Sequence, residues 1–90
     1  MFEVVFTTKF KKDYKIAKKR GKDIKQLQEL INLIAAGKPI PDKHRDHVLI
    51  GNYANRRECH INPDWLLIYK IIDNQVIFER TGSHSDLFKC

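Results

Sequence analysis

The chain has 90 residues, enough for one hydrophobic core but too few for two domains of ordinary size. Its 17 Lys and Arg against 11 Asp and Glu give a net charge of +6, which favours a polyanionic partner: nucleic acid, an anionic membrane or an acidic protein. Cys59 and Cys90 are too few for a disulfide framework, and no apolar run reaches the length of a signal peptide or membrane span. We therefore expect one domain over residues 1–90, in the reducing cytoplasm.

The first half of the sequence predicts a strand and then a helix. Residues 2–6, FEVVF, are β-branched and aromatic, which is typical of a strand. Thr7 or Thr8 can cap the helix that follows, and Gly21 ends it. The narrow apolar face of this helix consists of Phe10, Tyr14 and Ala17.

A second helix follows almost at once. Asp23 can cap it, and Gly37 fits the position just beyond its end. Its broader apolar stripe consists of Ile24, Leu27, Leu30, Ile31 and Ile34. The two helices therefore predict a hairpin with apolar faces turned toward a common core.

The second half of the sequence predicts an antiparallel meander. After an irregular stretch from 38 to about 52, strand-like runs occupy 55–61, 65–72 and 75–81, and Asp73-Asn74 forms a two-residue hairpin turn. The middle run, WLLIYKII, is apolar on both faces, as in a central strand. This order predicts an α+β fold in which the helical hairpin packs on one face of a small twisted antiparallel sheet.

Basic residues are concentrated in the first helix and the turn after it. Nine Lys and Arg occupy positions 9–25, opposed only by Asp13 and Asp23. One interpretation is a solvated helix face, and the other is a surface that holds a phosphate backbone without reading its sequence. The residues predicted to bind RNA are Lys11, Lys12, Lys15, Lys18 and Lys19.

All four histidines, His44, His47, His60 and His84, lie in the second half of the chain. Strand alternation puts His60 on the same face as Arg56, Glu58 and Asn62 and opposite to Cys59 and Ile61, so we expect its ring outside the core. His47 follows Asp46, which could orient the imidazole or cap a turn. Asp64 and Arg80 are expected at the same end of the sheet.

These residue types suit the cleavage of RNA by attack of its own 2′-hydroxyl on the neighbouring phosphate. That reaction needs a base, a cation for the phosphorane oxygens and an acid for the departing 5′-oxygen, which His, Arg and Asp supply. His and Asp could instead bind a divalent ion. Because no HExxH, cysteine-pair or clustered-carboxylate spacing is present, we predict neither a metal nor a cofactor.

The segment from Asp46 to Phe88 contains DHVLIGNY, RRECHINPDWLLIYK and FERTGSHSDLF in a fixed order and spacing. This pattern resembles the YafQ branch of the RelE/ParE toxin superfamily. The resemblance implies a fold like that of small microbial ribonucleases and the toxin of a bacterial type II toxin–antitoxin pair, which cuts mRNA on the translating ribosome. The implied partners are the ribosome, mRNA and an acidic, DinJ-like antitoxin, in an oligomeric complex that binds operator DNA through the antitoxin, with no membrane partner.

The same resemblance implies roles for single residues. Its active-site positions fall on His47, His60, Asp64, Arg80, His84 and Phe88. His84 is expected to be the general acid, while His47, His60 and Asp64 share the base and orienting roles. Arg80 would stabilise phosphate charge, and Phe88 would stack on a base or fix the C-terminal turn. Trp65 either shapes the site or belongs to the core.

Two alternatives stay open at this point. A ParE-like toxin has the same fold but inhibits DNA gyrase without cutting RNA, and the histidines argue against it because such inhibition needs no acid–base groups. The other alternative is a basic nucleic-acid-binding module that uses only the lysines of the first helix.

Overall fold

The structure is a computed structural model of the chain, and it describes residues 1–48 and 56–88. Its elements in chain order are β1 (Glu3–Phe6), α1 (Thr8–Lys19), α2 (Ile24–Ala35), a 3-10 turn (Asp42–His44), β2 (His47–Val48), β3 (Arg57–Asn62), β4 (Trp65–Ile72), β5 (Gln75–Gly82) and α3 (His84–Phe88). The predicted α+β order of strand, two helices and meander is confirmed.

Both long helices begin at residues that the sequence predicts as caps. The Thr7 hydroxyl accepts a hydrogen bond from the Phe10 N–H at 3.0 Å, and the Asp23 carboxylate accepts one from the Lys25 N–H at 3.2 Å. Gly21 separates α1 from α2 with a φ of 76°, in the left-handed region that favours glycine. The hairpin of α1 and α2 is thus set by local sequence signals.

The sheet has the strand order β1-β5-β4-β3-β2. Strands β3 to β5 pair antiparallel as predicted, and the unpredicted β2 pairs antiparallel with β3. Strand β1 pairs parallel with β5, so the sheet is mixed rather than wholly antiparallel. No hairpin joins β1 to β5, and a long connection between two strands permits parallel pairing.

The region predicted to be irregular contains two short elements, the 3-10 turn and β2. The strand predicted over 55–61 is observed as Arg57–Asn62. The end of the predicted irregular stretch and the start of this predicted strand fall on residues 49–55, which lie outside the described residues. The strand predicted over 65–72 has those bounds. Asp73 in the following turn has a φ of 52°, as the two-residue hairpin requires.

The two faces of the sheet differ in what covers them. The α1–α2 hairpin covers one face, and its core contains Cys59, Ile61, Trp65, Leu67, Tyr69, Val76 and Phe78 from the sheet. On the other face, Leu87 of α3 packs with Leu66 and Ile68, and Phe88 packs against this smaller cluster. The second face therefore keeps room for polar side chains beside α3. No helix within residues 1–48 and 56–88 has the length and apolar character needed to cross a membrane.

Candidate active site

Strand register collects the polar residues of the second face into rows. His47, Glu58, Ile68 and Arg80 are successive cross-strand partners across β2, β3, β4 and β5. His60, Leu66 and Gly82 form the next row. Because directly opposed residues share a face, both rows lie on the side of the sheet that the α1–α2 hairpin does not cover.

A β-bulge puts Arg80 into its row. Phe78 pairs with Tyr69 and Arg80 pairs with Ile68, so Glu79 is an extra residue in β5. If β5 continued past Phe78 as a regular strand without the bulge, Arg80 would lie two residues after Phe78 and share its face, toward α1 and α2. The bulge reverses the phase, and Thr81, rather than Arg80, is buried at 2% exposure.

Three imidazoles lie together, with His60 in the middle. The ring centroid of His60 is 6.3 Å from that of His47 and 5.9 Å from that of His84. The buried Glu58 carboxylate lies 3.1 Å from Nε2 of His60 and 3.5 Å from Nε2 of His47. His60 is on the predicted face, but its side chain is only 14% exposed, because Glu58 and its neighbours enclose it. We call His47, His60 and His84 the imidazole cluster.

Sequence reasoning placed Glu58 on this face without a role. The signal that was available is its spacing of two residues from His60, since residues i and i+2 of a strand are neighbours on one face. Its burial, at 6% exposure, was not predictable from that spacing. The Glu58 carboxylate is placed to accept a hydrogen bond from the Nε2 atom of either ring.

The imidazole of His84 is held by Asp64. Its Nδ1 lies 3.2 Å from Asp64 Oδ1, and the backbone N–H of His84 donates to the same oxygen at 3.4 Å. These hydrogen bonds from His84 lower the pKa of Asp64 below its ordinary value. Because a carboxylate only accepts, Nδ1 is the donor and Nε2 is left for other contacts. Phe88, one helical turn later, has its ring centroid 6.4 Å from that of His84.

Among residues 1–48 and 56–88, the side chain of Asp46 neither contacts the His47 ring nor caps a turn. Its carboxylate accepts two short hydrogen bonds, from Arg57 Nη2 and from the Tyr69 hydroxyl, both at 2.6 Å. Burial, and next the hydrogen bond with Asp46, raise the pKa of Tyr69. The Nδ1 of His47 instead donates to the Arg45 carbonyl at 2.7 Å. The carboxylate of Asp46 points toward β3 and β4. Its hydrogen bonds connect the segment just before β2 to these two strands.

Arg80 shares the row of Glu58, but its guanidinium binds to a helix. Its Nε and Nη2 donate to the two carboxylate oxygens of Asp13 in α1, at 2.6 and 3.2 Å. Arg80 and Asp64 both line a cleft of about 490 Å³ between α1 and the turn into α3. Trp65 also lines this cleft, although it is 1% exposed and belongs to the helix-side core.

Within residues 1–48 and 56–88, no group of three or more His, Cys, Asp or Glu side chains is arranged to hold a metal ion. Cys59 is fully buried in the helix-side core, and burial raises the pKa of its thiol. The absence of a metal or cofactor in the reaction stays a prediction.

The predicted lysines lie on the outer side of α1. Phe10 and Ala17 are buried at 3% and 6% exposure, as the narrow apolar face predicts, and the lysines are exposed. The ammonium groups of these five lysines form no ion pair within the described residues. The five are Lys11, Lys12, Lys15, Lys18 and Lys19. This surface is free to meet an anion, but it is on the opposite side of the sheet from the imidazole cluster.

The fold and the imidazole cluster define a small α+β protein with groups for acid–base chemistry. Residues 2–89 match the family described as bacterial toxin of type II toxin-antitoxin system, YafQ. The chain is 40% identical over 87 residues to the mRNA interferase toxin YafQ of Escherichia coli K12. This match covers 96% of this chain and 95% of the relative.

Solved structures agree with this match. The crystal structure of YafQ from E. coli BL21(DE3) has a TM-score of 0.93 at 38% identity, over 98% of this chain and 99% of that one. YafQ in the E. coli DinJ-YafQ complex has a TM-score of 0.90 at 40% identity, over 98% and 99%. A metal-bound toxin from Helicobacter pylori has a TM-score of 0.91 at 41% identity, over 98% and 100%. The chain belongs to the YafQ family of toxins of type II toxin–antitoxin systems, which confirms the predicted family and fold.

Proposed function

We propose that this toxin is an mRNA interferase, an endoribonuclease that cuts mRNA on the translating ribosome and thereby stops protein synthesis in the cytoplasm. The name of the E. coli relative, mRNA interferase toxin, supports the activity. The observation that carries the mechanism is the imidazole cluster, in which His60 has His47 and His84 on its two sides at 6.3 and 5.9 Å. The family match favours this function over a ParE-like gyrase inhibitor.

The proposed reaction needs two proton transfers at one phosphodiester. The 2′-oxygen attacks phosphorus while a base takes its proton, and the bond to the 5′-oxygen breaks as an acid protonates that oxygen. The products are a 2′,3′-cyclic phosphate and a 5′-hydroxyl. Each catalytic group must lie within roughly 2.6–3.2 Å of its oxygen. The ring centroids of His60 and His84 are 5.9 Å apart, close enough for both imidazoles to contact one phosphodiester.

His84 is the general acid in this proposal. Asp64 accepts from Nδ1, which keeps the ring oriented and stabilises the charged imidazolium that must carry the proton. Nε2 then delivers that proton to the 5′-oxygen. Asp64 thus acts on the acid side of the phosphate, as an orienting residue.

The base role falls to His47 and His60, which share Glu58. In the neutral form of His47, the Nδ1 hydrogen bond to Arg45 leaves the lone pair on Nε2, where it can accept a proton. Arg80 stabilises negative charge on the nonbridging oxygens, and Phe88 supplies a ring on which a base can stack.

The remaining partners follow from charge and from the family. Lys11, Lys12, Lys15, Lys18 and Lys19 bind ribosomal RNA or mRNA backbone, in keeping with the net charge of +6. The E. coli DinJ-YafQ complex supports a DinJ-like antitoxin as partner. We infer further that this antitoxin is acidic and that the complex is an oligomer that binds operator DNA through the antitoxin.

The test is single-turnover cleavage of mRNA on programmed ribosomes by wild type and His84→Ala. Loss of a positioned general acid should slow cleavage about 10²–10⁴-fold. A substrate with a 5′-bridging sulfur has a leaving group that needs little protonation, so it should restore much of the lost rate to His84→Ala but not to Arg80→Ala. Ser85→Ala, an exposed neighbour in α3, is the matched control. Rescue of Arg80→Ala alone would refute the acid assignment, and intact mRNA with early loss of gyrase activity would refute the function.

A further inference from the structure

The short helix α3 carries two of the proposed catalytic residues, His84 and Phe88, within five residues. A helix of this length has no stability of its own, because nucleation costs more than one turn of hydrogen bonds returns. The position of the His84 ring relative to His60 and Asp64 therefore depends on what holds α3 to the rest of the protein.

Ser83 and Asp86 close the first turn of α3 reciprocally. The Ser83 N–H donates to Asp86 Oδ2 at 3.0 Å, and the Asp86 N–H donates to the Ser83 hydroxyl at 3.2 Å. This arrangement is a capping box in which aspartate takes the place of the usual glutamate. The side chain of Asp86 is thus turned back toward the start of the helix.

Arg20 binds the same carboxylate oxygen from the end of α1. Its Nη1 donates to Asp86 Oδ2 at 2.8 Å across 66 residues of sequence. Arg20 is the C-cap residue of α1, and the buried Ala17 anchors that end of the helix in the core. Hydrogen bonds from the backbone of Ser83 and from Arg20 lower the pKa of Asp86, so the carboxylate is charged at neutral pH.

Gly82 shows how closely α3 approaches the end of β5. A Cβ atom at this position would lie 3.0 Å from Asp86 Cβ and 3.2 Å from Asp86 Oδ2. A methyl group here would push Asp86 away from the turn. The capping box with Ser83, the ion pair with Arg20 and the close approach to Gly82 thus all involve the side chain of Asp86.

We propose that Arg20 and Asp86 are positioning residues, whose ion pair fixes α3 so that the His84 imidazole lies between Asp64 and His60. The ring then stays at 3.2 Å from Asp64 and its centroid at 5.9 Å from that of His60. The rival role for Arg20, which is 54% exposed in its side chain, is direct binding of RNA phosphate. The catalytic part of the proposal rests on the proposed function.

Arg20→Gln and Asp86→Asn separate the two roles because both break the ion pair but change the net charge in opposite directions. If the ion pair positions His84, both variants slow single-turnover cleavage at saturating ribosome concentration, by about 10- to 100-fold for a ring displaced by about an ångström. The double variant should then be no slower than the slower single variant. Lys38→Gln and Glu29→Gln are exposed controls that match the two charge changes and should cleave at the wild-type rate.

A second readout does not depend on cleavage. The ¹H–¹⁵N spectrum of the His84 imidazole should shift in the same direction in both variants and remain unshifted in the two controls. Opposite effects of Arg20→Gln and Asp86→Asn on ribosome affinity, with an unshifted His84 spectrum, would overturn the proposal in favour of RNA binding. A wild-type chain that cuts no mRNA would sink the proposed function, whereas the imidazole spectra would still decide whether the ion pair positions the ring.

Discussion

Asp13 in α1 accepts three hydrogen bonds from neighbouring residues of β5, two from the Arg80 guanidinium and one from the Thr81 N–H at 3.2 Å. Strand β1 pairs with β5 only as far as Phe78, so this carboxylate covers part of the strand edge that β1 leaves open. Asp13 and Arg20 are seven residues apart and lie on one face of α1. Helix α1 lies on one side of the sheet and therefore holds the end of β5 and helix α3, whose proposed catalytic residues act on the other side.

We expect Asp13→Asn to slow cleavage about 10-fold, because a neutral amide holds the guanidinium less firmly than a carboxylate. Arg80→Ala should cost roughly 10²–10³-fold, and the double variant should be no slower than Arg80→Ala. The measurement is single-turnover cleavage on ribosomes, with Asp42→Asn as an exposed control. Faster cleavage by Asp13→Asn would show instead that Asp13 competes with the RNA phosphate for Arg80.

Glu58→Gln should slow cleavage by about 10- to 100-fold without unfolding the protein. The amide keeps the shape of the side chain but removes the charge that lies 3.1 Å from His60 and 3.5 Å from His47. Adding Glu58→Gln to His60→Ala should cost little more, since the two residues act together. Glu79→Gln, which breaks pairs with Arg56 and Lys70 instead, is the matched control. An unchanged rate would leave Glu58 a structural role only.

The outer lysines of α1 are tested by two triple variants with the same loss of charge. The first changes Lys11, Lys12 and Lys15 to Gln, and the control changes Lys25, Lys38 and Lys43 to Gln. Only the first should weaken ribosome binding, and the slope of log affinity against log salt should flatten by about 0.7–0.9 for each phosphate that a lysine no longer neutralises. Equal effects of the two triple variants would show that the lysines of α1 act only through the net charge of the protein.

Stability in acid should depend on Asp64 and Asp86. Folding lowers the pKa of both carboxyl groups, so their contribution to the free energy of unfolding is complete above the unfolded value near 3.8 and is lost as pH falls through the folded value. Urea unfolding across this range should show Asp86→Asn less stable than wild type at neutral pH, with the difference shrinking in acid. A difference independent of pH would contradict an electrostatic origin.

Cleavage should not need a divalent metal in the chemical step. The proposed groups are imidazoles, carboxylates and a guanidinium, which transfer protons and stabilise charge directly. Because ribosomes themselves require Mg²⁺, the measurement replaces it with cobalt hexammine and polyamines that keep ribosomes assembled. Loss of cutting under those conditions, with toxin still bound to the ribosome, would indicate a metal ion in the reaction.

The sequence by itself determined the elements whose signals are local. The caps at Thr7 and Asp23 and the strand over 65–72 are observed as predicted, because capping and side-chain periodicity act between residues close in the chain. The motif from Asp46 to Phe88 determined the family. It also named the proposed catalytic residues, whose roles stay predictions.

Only the tertiary structure decided how these residues meet. Alternation along β5 could not reveal the bulge at Glu79 that moves Arg80 to the second face, because bulges arise from pairing with a neighbouring strand. The parallel pairing of β1, the burial of Glu58, and the contacts of Asp13 and Arg20 with the far end of the chain depend on packing in the same way. Partners 66 and 67 residues apart leave no periodic mark in the sequence, since their contact is set by the fold as a whole.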